Sequence, residues 1–207
     1  MRHLSRLMQV VAAALLAAQA ACSSPNPDLY TIAPVTGATV TGAPKAIELR
    51  QIGLARFLER SQIVRSSENY RLDVMANDWW GEPLGAMLSR VLVEELSQRL
   101  PQSTVFAETG AVSVTPDATI ELNVSRLDEN TAGTLVLQAQ AAVVKGRGKP
   151  VTRGFRFEIQ PSDSGIGGEV AAISVAVGQL ADGLAAMLAL QPPSAAPAAP
   201  PRARRAR

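Results

Sequence analysis

The sequence contains very few of the residues on which most enzymes and metal sites depend. Its 207 residues include a single histidine, His3, and a single cysteine, Cys22. A Cys–His catalytic pair, a histidine general base in the body of the chain and a His/Cys zinc site are therefore excluded. One cysteine also excludes an internal disulfide framework. We expect no catalysis, no metal and no cofactor.

Aromatic residues are also scarce, at 4% of the chain, whereas 47% of it is hydrophobic. The core must therefore be aliphatic and rich in alanine, and the length suits one globular domain with non-globular ends. The net charge of +2 reflects those ends, which hold six of the 20 Lys and Arg residues. Between them acidic residues outnumber basic ones, and no basic face with aromatics is visible that would bind nucleic acid.

The first 21 residues have the pattern of a signal peptide. Arg2 and Arg6 precede an apolar run from Leu7 to Ala18. This run is shorter than the roughly 20 apolar residues that a membrane-spanning helix needs. Residues 1–21 are therefore predicted to be a secretion signal that is removed from the mature protein.

Two alanines directly before Cys22 resemble a bacterial lipobox, in which the preceding peptide is cut and the cysteine is acylated. Gln19 departs from the leucine usual at that position. An ordinary signal peptide that leaves Cys22 as a free thiol is the alternative. We predict acylation, because a lone cysteine at a mature N-terminus in an oxidising compartment has no other evident use. Ser23 stands where aspartate would retain an inner-membrane lipoprotein, which indicates the outer membrane.

Composition divides the mature chain into three parts. Residues 22–45 hold the acylated cysteine, a tether and an entry segment with a short strand at Tyr30–Ile32, and residues 46–190 form the domain. Residues 191–207, rich in Pro, Ala and Arg, are predicted to be a disordered tail. A solvated arm is one interpretation of this tail, and a contact with anionic headgroups or cell-wall polymer is the other.

Hydrophobic periodicity within the domain predicts an α+β fold. Helical spacing marks two amphipathic helices, one from Pro83 to just before Pro101 and one over 170–188. The polar side of the first helix, expected to face solvent, holds Glu94, Glu95, Gln98 and Arg99. Period-two alternation marks strands at Ile47 and Leu49, at Tyr70, Leu72 and Val74, at Ile120 to Val124, at Leu135 to Val143 and at Phe155 to Ile159. We predict a single antiparallel-rich sheet with both helices packed on one face.

Asp73, Asp78 and Glu82 are the only cluster that suggests acid–base chemistry. Capping or helix-dipole roles at the start of the first helix explain Asp78 and Glu82 better. The glycines within 165–168 lack the preceding strand and the spacing of a dinucleotide-binding loop, and we interpret them as a turn.

Trp79 and Trp80 are adjacent just before the first helix. Neighbouring side chains cannot both face inward in a regular element, so one ring is available to a partner. We predict that Trp80 is buried and that Trp79 is an exposed partner-binding anchor. If neither tryptophan binds a partner, the docking surface is expected on the predicted loops 128–133 and 145–150.

The sequence resembles the ABC-type transport auxiliary lipoprotein family in a run of motifs. These are residues 58–65, then Trp80-Gly81-Glu82-Pro83-Leu84, then the apolar stripe of the first helix. It is most similar to the paraquat-inducible lipoprotein C type, a membrane integrity-associated transporter subunit. The similarity extends from the lipobox to the final helix near Leu190, and the basic tail lies outside it.

This resemblance implies an outer-membrane lipoprotein on the periplasmic face. It would be the docking and scaffold subunit of an MCE-type system that moves phospholipid between the two membranes. The implied partners are an MCE-domain periplasmic protein and an inner-membrane permease or ABC transporter complex, and a homo-oligomer is compatible with the role. Two alternatives stay open: a lipoprotein that chaperones or activates another envelope machine, such as a cell-wall synthase, and a periplasmic hydrolase.

Overall fold

The computed structural model describes residues 26–111 and 114–190. The predicted signal peptide, Cys22 and the whole of the predicted tail, residues 191–207, lie outside these residues. The described elements are β1 (Asp28–Tyr30), β2 (Ala46–Leu49), β3 (Gly53–Leu54), a 3-10 turn (Arg56–Leu58), β4 (Gln62–Ser66), β5 (Asp73–Trp80), α1 (Leu84–Arg99), β6 (Thr104–Ala107), β7 (Ala118–Glu129), β8 (Leu135–Lys145), β9 (Val151–Ile159) and α2 (Ile166–Ala189). The predicted α+β class is thereby confirmed.

The nine strands form one sheet organised around β7, the longest of them. On one side β7, β8 and β9 make the predicted antiparallel meander. The predicted loop 128–133 is wrong at its start, because Asp128 and Glu129 are buried residues of β7. On its other side β7 pairs in succession with β2, β3 and β4, all parallel to it. β6 extends the sheet beside β2, and β1 extends it beside β5, again in parallel.

The predicted antiparallel-rich sheet is therefore wrong, since the sheet is mixed. Among the strand pairs of the described residues, five are parallel and three are antiparallel. The parallel pairs join strands that are far apart in sequence, such as β1 with β5 and β2 with β7. The entry segment, residues 31–45, and the helix α1 are two of the long connections that lie between such strands.

A β-bulge in β7 changes which residues face the core. The register against β8 shifts between Val124 and Arg126. Before the bulge Ile120 and Val124 belong to the hydrophobic core, and after it Leu127 does. The extra residue at the bulge thus changes the core-facing residues of β7 from even-numbered to odd-numbered positions. As a result Glu129, which pairs with a core leucine of β8, is brought to the core side of the sheet.

The apolar stripe of α1 is buried as predicted, and the helix ends at Arg99, before Pro101. α2 is long and apolar enough, by length and composition, to cross a membrane. Two thirds of its apolar window is buried inside the domain, where α2 contacts β8, β9 and α1. Packing therefore accounts for the hydrophobicity of α2. The placement of both helices on a single face of the sheet stays a prediction.

One predicted strand begins later than its alternation indicates. Tyr70 and Leu72 were expected to share a half-buried face with Val74, yet β5 begins at Asp73 and both residues are exposed. Asn69 and Tyr70 instead form a turn in which both have positive φ angles. Apolar and polar residues alternate through this turn as well, and a period-two pattern by itself cannot distinguish such a turn from a strand.

Candidate functional site

The entry segment lies across both helices and is fixed to them by side chains. The backbone N–H of Ile32 lies 3.3 Å from the Met87 sulfur of α1, and the N–H of Ala33 donates to Ser174 Oγ of α2 at 3.2 Å. The N–H of Val35 donates to Glu95 Oε1 of α1 at 2.7 Å. These bonds satisfy backbone donors that have no strand partner. The entry segment is thus a fixed part of the domain.

Arg99 is the centre of this attachment. Its side chain is 1% exposed, and its guanidinium binds three parts of the chain. It donates to the Val35 carbonyl oxygen at 3.0 Å, to the Gly178 carbonyl oxygen at 3.0 Å and to Asp182 Oδ1 at 2.6 Å. The planar fork of an arginine can reach several acceptors at fixed angles, which a lysine cannot. We call Glu95, Arg99 and Asp182 the polar clamp.

The polar clamp corrects the prediction that Glu95 and Arg99 face solvent. Both are buried, whereas Glu94 and Gln98 of the same side are exposed as predicted. The entry segment covers this part of α1 and removes it from water. Burial raises the pKa of Glu95, although the Val35 N–H and the charge of Arg99 oppose the shift.

Close approach of the entry segment to Arg99 also explains one glycine. A Cβ added at Gly37 would lie 2.4 Å from Arg99 Cζ. Such a separation is far inside van der Waals contact, so a side chain here would displace the guanidinium from its acceptors. The local sequence therefore permits the clamp only because position 37 has no side chain.

The two tryptophans lie on opposite faces of β5. Trp80 is 7% exposed and belongs to the core, which confirms the prediction for that residue. Trp79 is partly exposed, and its indole N–H donates to the Ala76 carbonyl oxygen at 3.0 Å. Trp79 is paired in register with Leu29 of the edge strand β1, whose side chain is 66% exposed. We call Leu29 and Trp79 the edge patch. Its role in partner binding stays a prediction.

The carboxylates Asp73, Asp78 and Glu82 are not brought together. Asp73 and Asp78 lie five residues apart on one strand, which separates them by about 16 Å. Asp78 accepts a hydrogen bond of 3.0 Å from the Tyr30 hydroxyl, and this bond raises the pKa of Tyr30. Glu82 forms an ion pair of 2.7 Å with Arg90. Each of the latter two carboxylates thus has a structural partner.

A second acidic group lies at the other end of α2 and was not anticipated from the sequence. Glu169 is 1% exposed, and neither carboxylate oxygen has a hydrogen-bond partner among the described residues. Burial raises its pKa to about 8, with the charge of the nearby Glu129 adding to the shift. Glu129 itself pairs with Arg65 at 3.3 Å. Glu169 and Asp182 are the only charged residues of α2. A charged residue that stands alone in an apolar helix is the sequence signal that could have indicated the buried Glu169.

These carboxylates do not make a metal centre. Within residues 26–111 and 114–190, no three His, Cys, Asp or Glu side chains are grouped so that they could hold a metal ion. The features with functional potential in this part of the chain are the fastened entry segment and the exposed edge patch.

A family model described as ABC-type transport auxiliary lipoprotein component matches residues 30–185, which is more than half of the chain. The matched range includes the entry segment and the residues of the polar clamp. A comparison with curated protein sequences finds no match.

Several solved structures are similar in fold. A crystal structure of an uncharacterized protein matches with a TM-score of 0.67 at 18% identity, covering 79% of this chain and 99% of that one. Protein XCC0632 from Xanthomonas campestris matches with a TM-score of 0.59 at 18% identity, covering 75% and 91%. The PelC dodecamer from Paraburkholderia phytofirmans has a TM-score of 0.45 at 14% identity, covering 76% and 96%. At these identities the first two structures establish the fold alone.

Proposed function

The chain belongs to the family of ABC-type transport auxiliary lipoprotein components, and from this membership we propose that it is an outer-membrane lipoprotein acylated at Cys22 and facing the periplasm. Its proposed role is to dock an MCE-type system that moves phospholipid between the two membranes. The partners in this proposal are an MCE-domain periplasmic protein and, through it, an inner-membrane permease or ABC transporter complex. The role is one of scaffolding and requires no catalysis.

The observation that carries the proposal is the fastening of the entry segment by the polar clamp. A lipid anchor at Cys22 would be joined to the domain only through the residues that lead into the entry segment. We infer that a docking subunit benefits from a rigid connection between its anchor and its partner. The hydrogen bonds of Val35 to Glu95 and Arg99 supply that rigidity at the junction of both helices.

The edge patch supports the docking part of the proposal. β1 lies at an edge of the sheet, and Leu29 exposes most of its surface there beside Trp79. Exposed aromatic and aliphatic side chains that lie together are typical anchors of protein interfaces. Asp28 and Asp78 adjoin them on the two strands, so the apolar side chains of the edge patch are bordered by charge.

Acylation is tested by the intact mass of the protein purified from the membrane fraction. We expect a mature chain that begins at Cys22 and carries diacylglycerol and an amide-linked fatty acid such as palmitate. Cys22→Ser should remove the acyl chains and the membrane retention together. A mature wild-type protein that is water-soluble with a free thiol would contradict both the acylation and the outer-membrane placement.

Docking is tested by the affinity of the purified protein for the MCE-domain protein of the same organism. Trp79→Ala is expected to weaken binding about tenfold, the usual effect of losing an interface aromatic. Val151→Ala is the matched control, because Val151 is an exposed apolar residue of β9, and four strands separate β9 from β1 in the sheet. Melting curves establish that each variant is folded. Unchanged binding by both Trp79→Ala and Leu29→Ser would rule out the edge patch as the docking surface.

A further inference from the structure

The hairpin that joins β4 to β5 ends in a strained turn. The N–H of Arg71 donates to the Glu68 carbonyl oxygen at 3.2 Å, which closes a two-residue loop. Its central residues, Asn69 and Tyr70, have φ angles of 57° and 60°. This is the type I′ pattern, which strongly favours glycine at the second central position. Asparagine tolerates the left-handed region, but a bulky tyrosine is an outlier there.

Contacts within the domain do not compensate for this strain. The Tyr70 side chain is fully exposed, and Leu72 after it is also exposed. The fold would keep the same turn, at lower cost, with glycine in place of Tyr70. A strained and fully exposed aromatic residue indicates a contact that the isolated domain does not make.

The turn is also held in place from the side. Glu68 accepts a hydrogen bond of 2.8 Å from the N–H of Thr131, in the loop between β7 and β8, and forms an ion pair of 2.9 Å with Arg126. These two partners lower the pKa of Glu68, with the Thr131 bond as the larger cause. Tyr70 therefore projects from a fixed support.

The direction of β1 places the anchored end of the chain beside this hairpin. β1 runs parallel to β5, with Asp28 opposite Asp78. The N-terminal end of β1 therefore points along β5 toward the hairpin tip. Cys22 is six residues before Asp28, so it lies at most about 22 Å from it. The tip at Tyr70 lies beyond Asp73, the first residue of β5, which is about 16 Å from Asp78 in the same direction.

We propose that the tip of the β4–β5 hairpin, Tyr70 with Leu72, inserts into the lipid surface as a second membrane contact beside the acyl anchor. The proposal rests on the acylation of Cys22 proposed above. Because the fully extended tether reaches about as far as the tip, a domain that stands on its anchor brings Tyr70 to the membrane. Tyrosine is favoured at membrane–water interfaces, where its ring is in the apolar layer and its hydroxyl is hydrated. Arg71 is placed to meet lipid phosphates.

The test uses the mature chain, residues 22–207, coupled through Cys22 to a maleimide lipid in phosphatidylcholine vesicles that contain brominated phosphatidylcholine. Cys22 is the only cysteine, so coupling is specific and replaces biological acylation. Tyr70→Trp places a fluorescent probe at the tip. Val151→Trp is the matched control, because Val151 is exposed and lies near the opposite end of the sheet. That end is about 36 Å away along the 12 residues of β7.

Tyr70→Trp adds fluorescence emission to that of the two native tryptophans, and we expect brominated lipid to quench about half or more of the added emission. Leu72→Ser in the same chain should reduce this quenching. The emission added by Val151→Trp should be unaffected. Equal quenching of the two probes would overturn the proposal. If the emission at position 70 changes with the number of protein molecules per vesicle, but not with brominated lipid, the proposal is overturned, and Tyr70 contacts a second copy of the chain. Since coupling is imposed chemically, either outcome is independent of whether cells acylate Cys22.

Discussion

Gly183 of α2 lies so close to Phe155 of β9 that a Cβ added to the glycine would be 2.4 Å from the Cε1 atom of the ring. The ring therefore occupies the space that any other residue at position 183 would need. Phe155 also stacks on Phe157 at a centroid separation of 6.0 Å, and Arg153 lies 5.1 Å above it. The separation between α2 and the sheet is set by this contact.

Gly183→Ala is expected to destabilise the protein by about 1 to 3 kcal/mol, because the ring must move or the helix must lift from β9. Urea unfolding measures the change. Gly167→Ala in the first turn of the same helix is the control, since a Cβ there meets nothing within 4 Å. That variant should be neutral or slightly more stable, as alanine is the better helix former. Equal losses in the two variants would show that helix propensity, and not the ring, determines the effect.

Arg99→Ala is expected to cost about 3 kcal/mol or more in the free energy of unfolding. The substitution removes the bonds to Val35, Gly178 and Asp182 and leaves Glu95 buried without a positive neighbour. Arg99→Lys should recover only part of the loss, because an ammonium group cannot reproduce the fork. Arg90 of the same helix makes only exposed contacts, an ion pair with Glu82 and a hydrogen bond of 3.3 Å to Thr31, so Arg90→Ala should cost less than about 1 kcal/mol.

Hydrogen exchange distinguishes a clamp from general stabilisation. At denaturant concentrations where Arg99→Lys is still folded, the amides of Ala33 and Val35 should exchange faster than in the wild type. Amides in β8 should remain protected, since β8 lies between two paired strands. If exchange accelerates uniformly, the entry segment is not held by Arg99 in particular.

Glu169→Gln is expected to change the pH dependence of stability. The pKa of Glu169 is about 8 in the folded protein and near 4.5 in the unfolded chain. The folded state therefore binds the proton more tightly, and its stability falls as the pH rises from about 4.5 to 8. Glu129, Asp128 and Asp73 contribute to this shift, and Arg65 opposes it.

Thermal or urea unfolding at pH 5, 6.5 and 8 checks this expectation. The wild type should lose stability toward pH 8 with a slope from Glu169 of at most about 1.4 kcal/mol per pH unit. Glu169→Gln should remove that part of the slope, while the raised pKa of Glu95 leaves a remainder of the same sign. Glu121→Gln, which affects only an exposed pair with Arg50, should leave the slope unchanged. A slope equal to that of the wild type in Glu169→Gln would contradict the assignment.

Local patterns predicted the parts of the fold that depend on neighbours in sequence. The burial of Leu88 and Leu92 follows from helical spacing, and the β7–β8–β9 meander follows from alternation and short turns. The mixed sheet did not follow, because it depends on pairing between strands that are far apart in sequence, such as β1 with β5 and β2 with β7. Long-range contacts also explain the wrong prediction for Glu95 and Arg99, whose spacing along α1 places them on its solvent-facing side. They are buried because two distant parts of the chain cover them, the entry segment more than 50 residues earlier and α2 near Gly178.

Tyr70→Gly should stabilise the protein and weaken its contact with lipid at the same time. Glycine adopts a φ near 60° without the steric cost that tyrosine has there, so the free energy of unfolding should rise by about 1 kcal/mol. Asn69→Gly is the control, because asparagine already tolerates this conformation and the change should be within about 0.5 kcal/mol. Urea unfolding of the mature chain measures both variants.

The opposite effect is expected on the membrane. When the chain is coupled to vesicles through Cys22, hydrogen exchange in residues 67–72 should slow for the wild type and not for Tyr70→Gly, because only tyrosine supplies a side chain that enters the interface. A variant that gains stability and loses lipid contact would show that Tyr70 destabilises the fold and contributes to membrane contact. If Tyr70→Gly keeps the wild-type protection by lipid, the strain of the turn has to be explained by another contact.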